Sequence, residues 1–343
     1  MTSDIHLRKE GAVGWITLDR PKALNALTYQ MCLEIEKALD LWADDPDVAM
    51  LMIDAVGEKA FCAGGDIAEM YATGTAGNFS YGRQFWRDEY RMNAKLFRFP
   101  KPVVSFLQGF TMGGGVGVGC HASHRIVCES SQISMPEVSI GLVPDVGGSF
   151  ILANAPGRLG EYLGTTAARM GPGDAILAGF ADYYIPEAEW AALKTTLAQT
   201  GDWARVDACA KPAPEGPLRA LQSQIDAHFA GETLADILRS LKAEETEFTA
   251  KALKQLGRNA PLSMACAVEM VHRLRGTESI ERALELEYRF THRAIAQGDF
   301  LEGIRAAIID KDRTPKWRHA LGDPMDVDMS KMLQPLGADA LTL

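Results

Sequence analysis

The 343-residue sequence contains no apolar run near the roughly 18 residues a membrane-spanning helix needs, so no membrane role is expected. It has no CxxC pair. Its six cysteines (Cys32, Cys62, Cys120, Cys128, Cys209 and Cys266) are scattered, which predicts free thiols in a reducing cytosol. It has no excess of positive charge: 35 Lys+Arg stand against 45 Asp+Glu, a formal charge of −10. A general nucleic-acid binder, which needs a basic face, is therefore disfavoured, although a few local Lys or Arg could still hold a phosphorylated small molecule. The start, MTSDIHLRKEGAVGW, lacks both a signal-peptide apolar stretch and an Arg/Ser-rich presequence, so a cytoplasmic protein is expected. There is no internal repeat or low-complexity tract. With 47% hydrophobic and 23% charged residues, disorder, collagen-like repeats and coiled-coil arrays are disfavoured too.

What is present reads first as alternation. Apolar runs at Gly11–Leu18, Val48–Val56, Pro102–Leu107 and Arg125–Cys128 predict strands. Thr28 is placed to cap a helix whose apolar face is Met31, Ile35, Ala38, Leu39 and Trp42, and Tyr81–Phe97 reads as a second helix. Three prolines at 212, 214 and 217 suppress regular structure; beyond them the pattern is helical, clearest in the stripe Ile280, Leu284, Tyr288, Thr291 and Ile295. The expectation is an α/β core over residues 1–206 and a helical region over 207–343.

Glycine is abundant where it matters. Six of the 32 glycines fall between Gly109 and Gly119, in GFTMGGGVGVG after the Pro102–Leu107 strand. Consecutive glycines let the backbone approach a ligand closely, and amides at the start of a following helix would face outward without partners. A P-loop is excluded because no Gly-Lys-Ser/Thr follows. Gly117-Val-Gly119-Cys-His-Ala122 fits a dinucleotide fingerprint, with Glu137 about 20 residues on. The run nevertheless begins ten residues past the strand, where a fingerprint belongs in the tight turn. Close helix–strand packing without a ligand and an oxyanion hole both stay open.

A second glycine loop, Lys59–Ile67, follows the Val48–Val56 strand, so two loops could aim two backbone N–H groups at one carbonyl oxygen. Downstream, Glu137 and Asp145 stand eight apart in MPEVSIGLVPDVGG, framed by Pro136 and Pro144. Loop carboxylates are usually just solvated, but this bracing suggests positioned groups. Cys120, His121 and His124 lack further ligands nearby and are expected to be structural, and no metal site is expected. Lys311, Arg313, Lys316 and Arg318 form a basic cluster that is either plain surface charge or a phosphate contact.

Together these segments resemble the crotonase (enoyl-CoA hydratase) superfamily, through AFCAGGDI (60–67), GFTMGGGVGVG (109–119) and MPEVSIGLVPDVGG (135–148). AAIIDKDRTPKW (306–317) makes the likeness closest to the hydrolase branch, which cleaves 3-hydroxyisobutyryl-CoA in valine catabolism. The resemblance spans about Gly11 to Trp317. It implies a spiral core of repeated ββα units and an acyl-CoA substrate, with coenzyme A entering as part of the substrate and no separate cofactor. It also implies association through the C-terminal helices, unless the longer C-terminal region covers that surface.

By the same resemblance the amides of Gly65 and Gly114 would form the oxyanion hole, and the backbone of Gly65, Asp66, Ile67 and Ala68 would meet the adenine. Glu137 would be the catalytic carboxylate, with Asp145 and Glu89 contacting substrate. One departure is informative. Hydratases of the superfamily carry a first catalytic glutamate where this chain has Gly117, and usually glycine where it has Asp145. Adding water across a double bond needs both an acid and a base, so hydrolysis is favoured over hydration. The alternatives are a hydratase or isomerase and a non-catalytic acyl-CoA-binding member of the fold.

Overall fold

Thr28 caps the first long helix, Tyr29–Ala43, its side chain accepting from the Met31 amide at 3.2 Å. The face spaced by three and four (Met31, Ile35, Ala38, Leu39, Trp42) is buried, as the pattern predicts. The computed structural model describes residues 4–343. It divides into two compact units, each built from three separate stretches of chain.

The first unit comprises the described residues 4–66, 91–134 and 169–219, and holds the nine strands found among them. β1 (Ile5–Glu10) and β2 (Val13–Leu18) pair antiparallel; β3 (Met50–Ala55), β5 (Val103–Leu107), β7 (His124–Val127) and β9 (Tyr183–Tyr184) add in parallel, giving the order β1-β2-β3-β5-β7-β9. A second, parallel sheet has the order β4-β6-β8, from β4 (Ala60–Cys62), β6 (Phe110–Met112) and β8 (Gln132–Ser134). Successive strands thus alternate between sheets, β3 then β4, β5 then β6, β7 then β8, each pair followed by helical chain: this is the expected ββα repeat. Alternate residues of four strands (Val13 and Trp15, Met50 and Met52, Val104 and Phe106, and Ile126), with Cys128 just past the end of β7, form one buried cluster with Trp190, Leu193 and Leu197 of the helix Trp190–Thr200.

The strands β4, β6 and β8 were not expected; three residues are too few to show an alternating pattern.

The second unit comprises residues 67–90, 135–168 and 220–343, and its regular elements are all helical. Its boundary is not the single cut near residue 206 that composition suggests, because it also takes in 67–90 and 135–168. The helix Ile280–Gln297, capped by Ser279, buries Ile280, Leu284, Tyr288, Thr291 and Ile295 as their spacing predicts.

Candidate active site

Two sets of groups stand out, one in each unit. In the first unit, β4 and β6 are parallel neighbours, with Ala60 beside Phe110 and Cys62 beside Thr111, so the chain leaves both at the same end of the sheet. After β4 the segment 63–66 is stitched to residues 24–27. Ala63 N–H donates to Leu24 O (3.0 Å), Leu27 N–H to Gly64 O (2.8 Å) and Asp66 N–H to Leu27 O (2.8 Å). The Gly65 amide is skipped and donates to no group among the described residues. After β6, Gly113 adopts a positive φ of 50°, the helix Gly114–Gly119 begins, and the Gly114 amide is likewise unclaimed.

These two loops touch. A Cβ on Gly115 would lie 2.2 Å from the Cys62 carbonyl oxygen, so the helix start is seated on the end of β4. A Cβ on Gly119 would meet the side chains of Leu107 and Phe61 at 2.6 and 2.7 Å. Part of the glycine cluster is therefore close helix–strand packing, and the reason for glycine at 115 is protein backbone where a ligand was expected. Packing and amide presentation turn out to be parts of one arrangement.

Sequence reading missed what shapes the Gly65 loop. Leu24 and Asn25 both hold positive φ (51° and 55°). Asn25, buried, donates to Val56 O (3.0 Å) and Ala60 O (2.8 Å) and accepts from the Arg20 amide (2.8 Å). Arg20 bonds Ala26 O (2.5 Å) and pairs with the Asp66 carboxylate at 3.0 Å. Asp66 is thus tied into the loop by both its amide and its side chain.

In the second unit, four carboxylates are buried together. Glu89 lies on the helix Ser80–Phe97, Glu137 opens the 3-10 turn Glu137–Ile140, Asp145 follows Pro144, and Glu287 sits in Ile280–Gln297. Their residual exposures are 4%, 4%, 4% and 0%, so Glu137 and Asp145 are not the solvated loop carboxylates they would ordinarily be. Asp145 accepts from the Tyr90 hydroxyl at 2.6 Å, and that hydroxyl lies 3.5 Å from Thr291 Oγ1. Glu287 accepts from the amides of Gly147 (2.9 Å) and Ser149 (3.1 Å) and from the Ser149 hydroxyl. Glu137 Oε2 is buried with no partner among the described residues.

Burial governs their protonation. Loss of hydration pushes the Glu137 carboxyl well above its ordinary range, and the charges of Asp145, Glu287 and Glu89 push the same way. Glu89 is raised well above its usual value, by burial first and then by Asp145. Burial lifts Asp145 to about 7 against the opposing pull of the Tyr90 hydrogen bond. Glu287 is lifted to about 8 by burial, with Ser149 opposing. Tyr90, Thr291 and Glu287 carried no sequence signal beyond helical spacing.

The remaining candidates fall elsewhere. Ile67 caps the helix Ala68–Thr75, and Ala68 is exposed at its start. His121 packs edge-on to Phe97, and His124 stacks on Tyr183; among the described residues no cluster of His, Cys, Asp or Glu fits a metal ion. Lys311, Arg313 and Lys316 are exposed and form no ion pair among the described residues, whereas the nearby Arg305 is held by Glu302, Asp310 and Asp312. No described helix is long and apolar enough to cross a membrane.

Comparison with known proteins puts a family on this geometry. A chicken (Gallus gallus) protein named 3-hydroxyisobutyryl-CoA hydrolase, mitochondrial, is 34% identical over 99% of this chain and 91% of its own. Its location is a property of that protein, and it lends no support to the cytoplasmic expectation. A crystal structure described as an enoyl-CoA hydratase from Rhodobacter sphaeroides is 57% identical, covers 99% of this chain and 100% of its own, and superposes with a TM-score of 0.95. One described as a carnitinyl-CoA dehydratase from Mycobacterium thermoresistibile is 37% identical over 99% of each chain, with a TM-score of 0.94. The family model for enoyl-CoA hydratase/isomerase matches residues 13–333. With the alternating two-sheet core and nearly the whole chain matched, the fold is that of the crotonases, and the chain belongs to the enoyl-CoA hydratase/isomerase family.

Proposed function

We propose that the chain hydrolyses a short-chain 3-hydroxyacyl-CoA thioester, 3-hydroxyisobutyryl-CoA foremost, to the free hydroxy acid and coenzyme A. The observation that carries this reading is the carboxylate inventory. Glu137 is buried with an unpartnered oxygen, while position 117, within a buried helix, is glycine. Hydration would need a second acid–base group at the site where related hydratases hold their first glutamate. Hydrolysis needs one base or nucleophile and a polarised carbonyl.

In this mechanism the unclaimed amides of Gly65 and Gly114 donate to the thioester oxygen and stabilise the charge that develops on it. Glu137 either takes a proton from water as water attacks the carbonyl carbon, or attacks that carbon itself. In the first route the tetrahedral intermediate collapses with cleavage of the C–S bond, and the thiolate leaves to be protonated. In the second, the same cleavage gives a mixed anhydride that water then opens. Asp145, held by Tyr90, and Glu89 accept hydrogen bonds from the substrate hydroxyl and help position water. The backbone at 65–68 meets the adenine of coenzyme A.

The names of the two solved relatives favour a second reading, hydration of an enoyl-CoA. One experiment separates them: colorimetric thiol release from 3-hydroxyisobutyryl-CoA beside absorbance loss with crotonyl-CoA. Thiol release without crotonyl-CoA consumption is expected; the reverse overturns the proposal. Single turnover in ¹⁸O-labelled water then distinguishes the two routes, because label recovered in Glu137 requires the anhydride. The methyl group separating 3-hydroxyisobutyryl from 3-hydroxypropionyl thioesters is worth only about 1–3 kcal/mol, so both should be turned over.

A further inference from the structure

The loop that carries Asp145 is strained, and one side chain outside it holds it in place. Val146 has a φ of +53°, a conformation that β-branched residues rarely adopt, and Gly147 follows at +78°. Such a turn persists only where the surroundings over-determine it. Here they do. Glu287 collects the amides of Gly147 and Ser149 and the Ser149 hydroxyl, three donors within four residues of Asp145.

Glu287 belongs to the helix Ile280–Gln297. One turn further along the same helix, Thr291 Oγ1 lies 3.5 Å from the Tyr90 hydroxyl, which itself donates to Asp145 Oδ2 at 2.6 Å. Tyr288 of that helix packs edge-on against the Tyr90 ring, with centroids 6.2 Å apart. A single helix face thus anchors Asp145 twice, through the backbone that follows it and through the hydroxyl bonded to its carboxylate.

A fully buried carboxylate is costly to keep and is destabilising unless its bonds return the loss. Glu287 is 0% exposed and all its described partners lie in the Asp145 loop, which places it to set that loop's geometry.

We propose that Glu287 is a positioning residue for the thioester chemistry, clamping the strained Val146–Gly147 turn so that Asp145 is presented to substrate in one orientation. The inference rests on the hydrolase reading above. Glu287→Gln and Glu287→Ala are measured for kcat and KM by thiol release, with amide hydrogen exchange across 146–150 as a second readout. Released from its clamp, a group displaced by about 1 Å costs on the order of 100-fold in rate. Glu287→Ala should therefore lose about that much kcat with KM within threefold. Glu287→Gln, which keeps one acceptor oxygen, should fall between it and the parent. The Gly147 and Ser149 amides should lose protection in both.

Folded variants with kcat within twofold of the parent, or with unchanged exchange at those amides, overturn the proposal. If neither variant folds, Ser149→Ala removes one donor to Glu287 and should lower kcat roughly 5- to 10-fold; an unchanged kcat overturns it equally. A parent that releases no thiol refutes the hydrolase reading instead, and the exchange experiment still decides whether the clamp exists.

Discussion

Alanine at position 115 adds a single methyl group, and the structure says where it must go. Its Cβ would stand 2.2 Å from the Cys62 carbonyl oxygen and 3.0 Å from the Cys62 carbonyl carbon. Carbon–oxygen contacts settle at about 3.3 Å, so the helix start and the end of β4 must part by about 1 Å. Neither atom set is a flexible side chain tip; both are backbone. Gly114, whose amide is the proposed donor, is the adjacent residue, and Gly65 lies three residues beyond Cys62. A 1 Å displacement of a positioned group costs on the order of 100-fold, and complete loss of one oxyanion donor about 100- to 1000-fold, or about 2.7–4 kcal/mol.

Gly115→Ala should therefore lower kcat by about 100-fold or more, while overpacking lowers stability by about 1–3 kcal/mol. The assay is steady-state thiol release on protein with parent-like circular dichroism, with thermal unfolding run beside it. Gly171→Ala is the control, since its φ is −73° and a Cβ there meets nothing within 4 Å; it should be silent in both measurements. A folded Gly115→Ala protein with kcat within threefold of the parent would refute the argument that Gly115 fixes the amide geometry.

Other perturbations test the carboxylates. Glu137→Gln should cut kcat by about 100- to 10,000-fold, the range for a removed general base, with coenzyme A affinity nearly unchanged by calorimetry. Tyr90→Phe deletes the hydroxyl bonded to Asp145; a hydrogen bond to a charged group is worth about 1.5–3 kcal/mol, so the Asp145 carboxyl should titrate above about 7 and kcat should fall about 10-fold or more. Because Glu137 must lose its proton to act and burial raises its affinity for that proton, kcat/KM should rise with pH at values well above the ordinary glutamate range, and the rise should be absent in Glu137→Gln.

Stability should run the other way. The folded state favours protonated Asp145, so that contribution is complete below about pH 4 and is lost as pH rises through about 7; Asp145→Asn should flatten the decline of the unfolding midpoint across that window.

The sequence announced some of this plainly and left the rest unreadable, for physical reasons. Thr28 with its 3–4 spaced apolar face, and the stripe from Ile280 to Ile295, are long periodic signals that packing did not override. The loops at 59–67 and 109–119 and the braced carboxylates were visible as composition. The three-residue strands β4, β6 and β8 were not, because their identity comes from neighbours in the sheet. Nor could Gly115 be told from Gly114 by sequence: one is glycine because of the Cys62 carbonyl, the other exposes an amide, and both read as G. Asn25 and Arg20 shape the Gly65 loop from about 40 residues away through left-handed backbone and hydrogen bonds that leave no local pattern. Glu287 was hidden for the opposite reason: on a helix a glutamate ordinarily marks the solvated face, and only burial shows that this one does not.

Four carboxyls buried together cannot all be charged, and that bears on which reaction the chain is built for. Each added charge raises the proton affinity of its neighbours, so near neutral pH the group retains protons that separate, solvated carboxylates would have released. Hydration of a double bond would need two of these groups fixed on opposite sides of the forming bonds, one protonated and one not. At position 117 the chain offers a glycine where that division would begin. Hydrolysis of a thioester asks for less. The leaving thiolate is a weak base that needs little help to depart, and the charge on the carbonyl oxygen is met by backbone amides that never titrate. What remains is one group that can lose its proton beside the carbonyl and others that stay neutral enough to bond a hydroxyl and a water. A buried, partly protonated cluster in which Glu137 Oε2 has no partner among the described residues supplies that requirement.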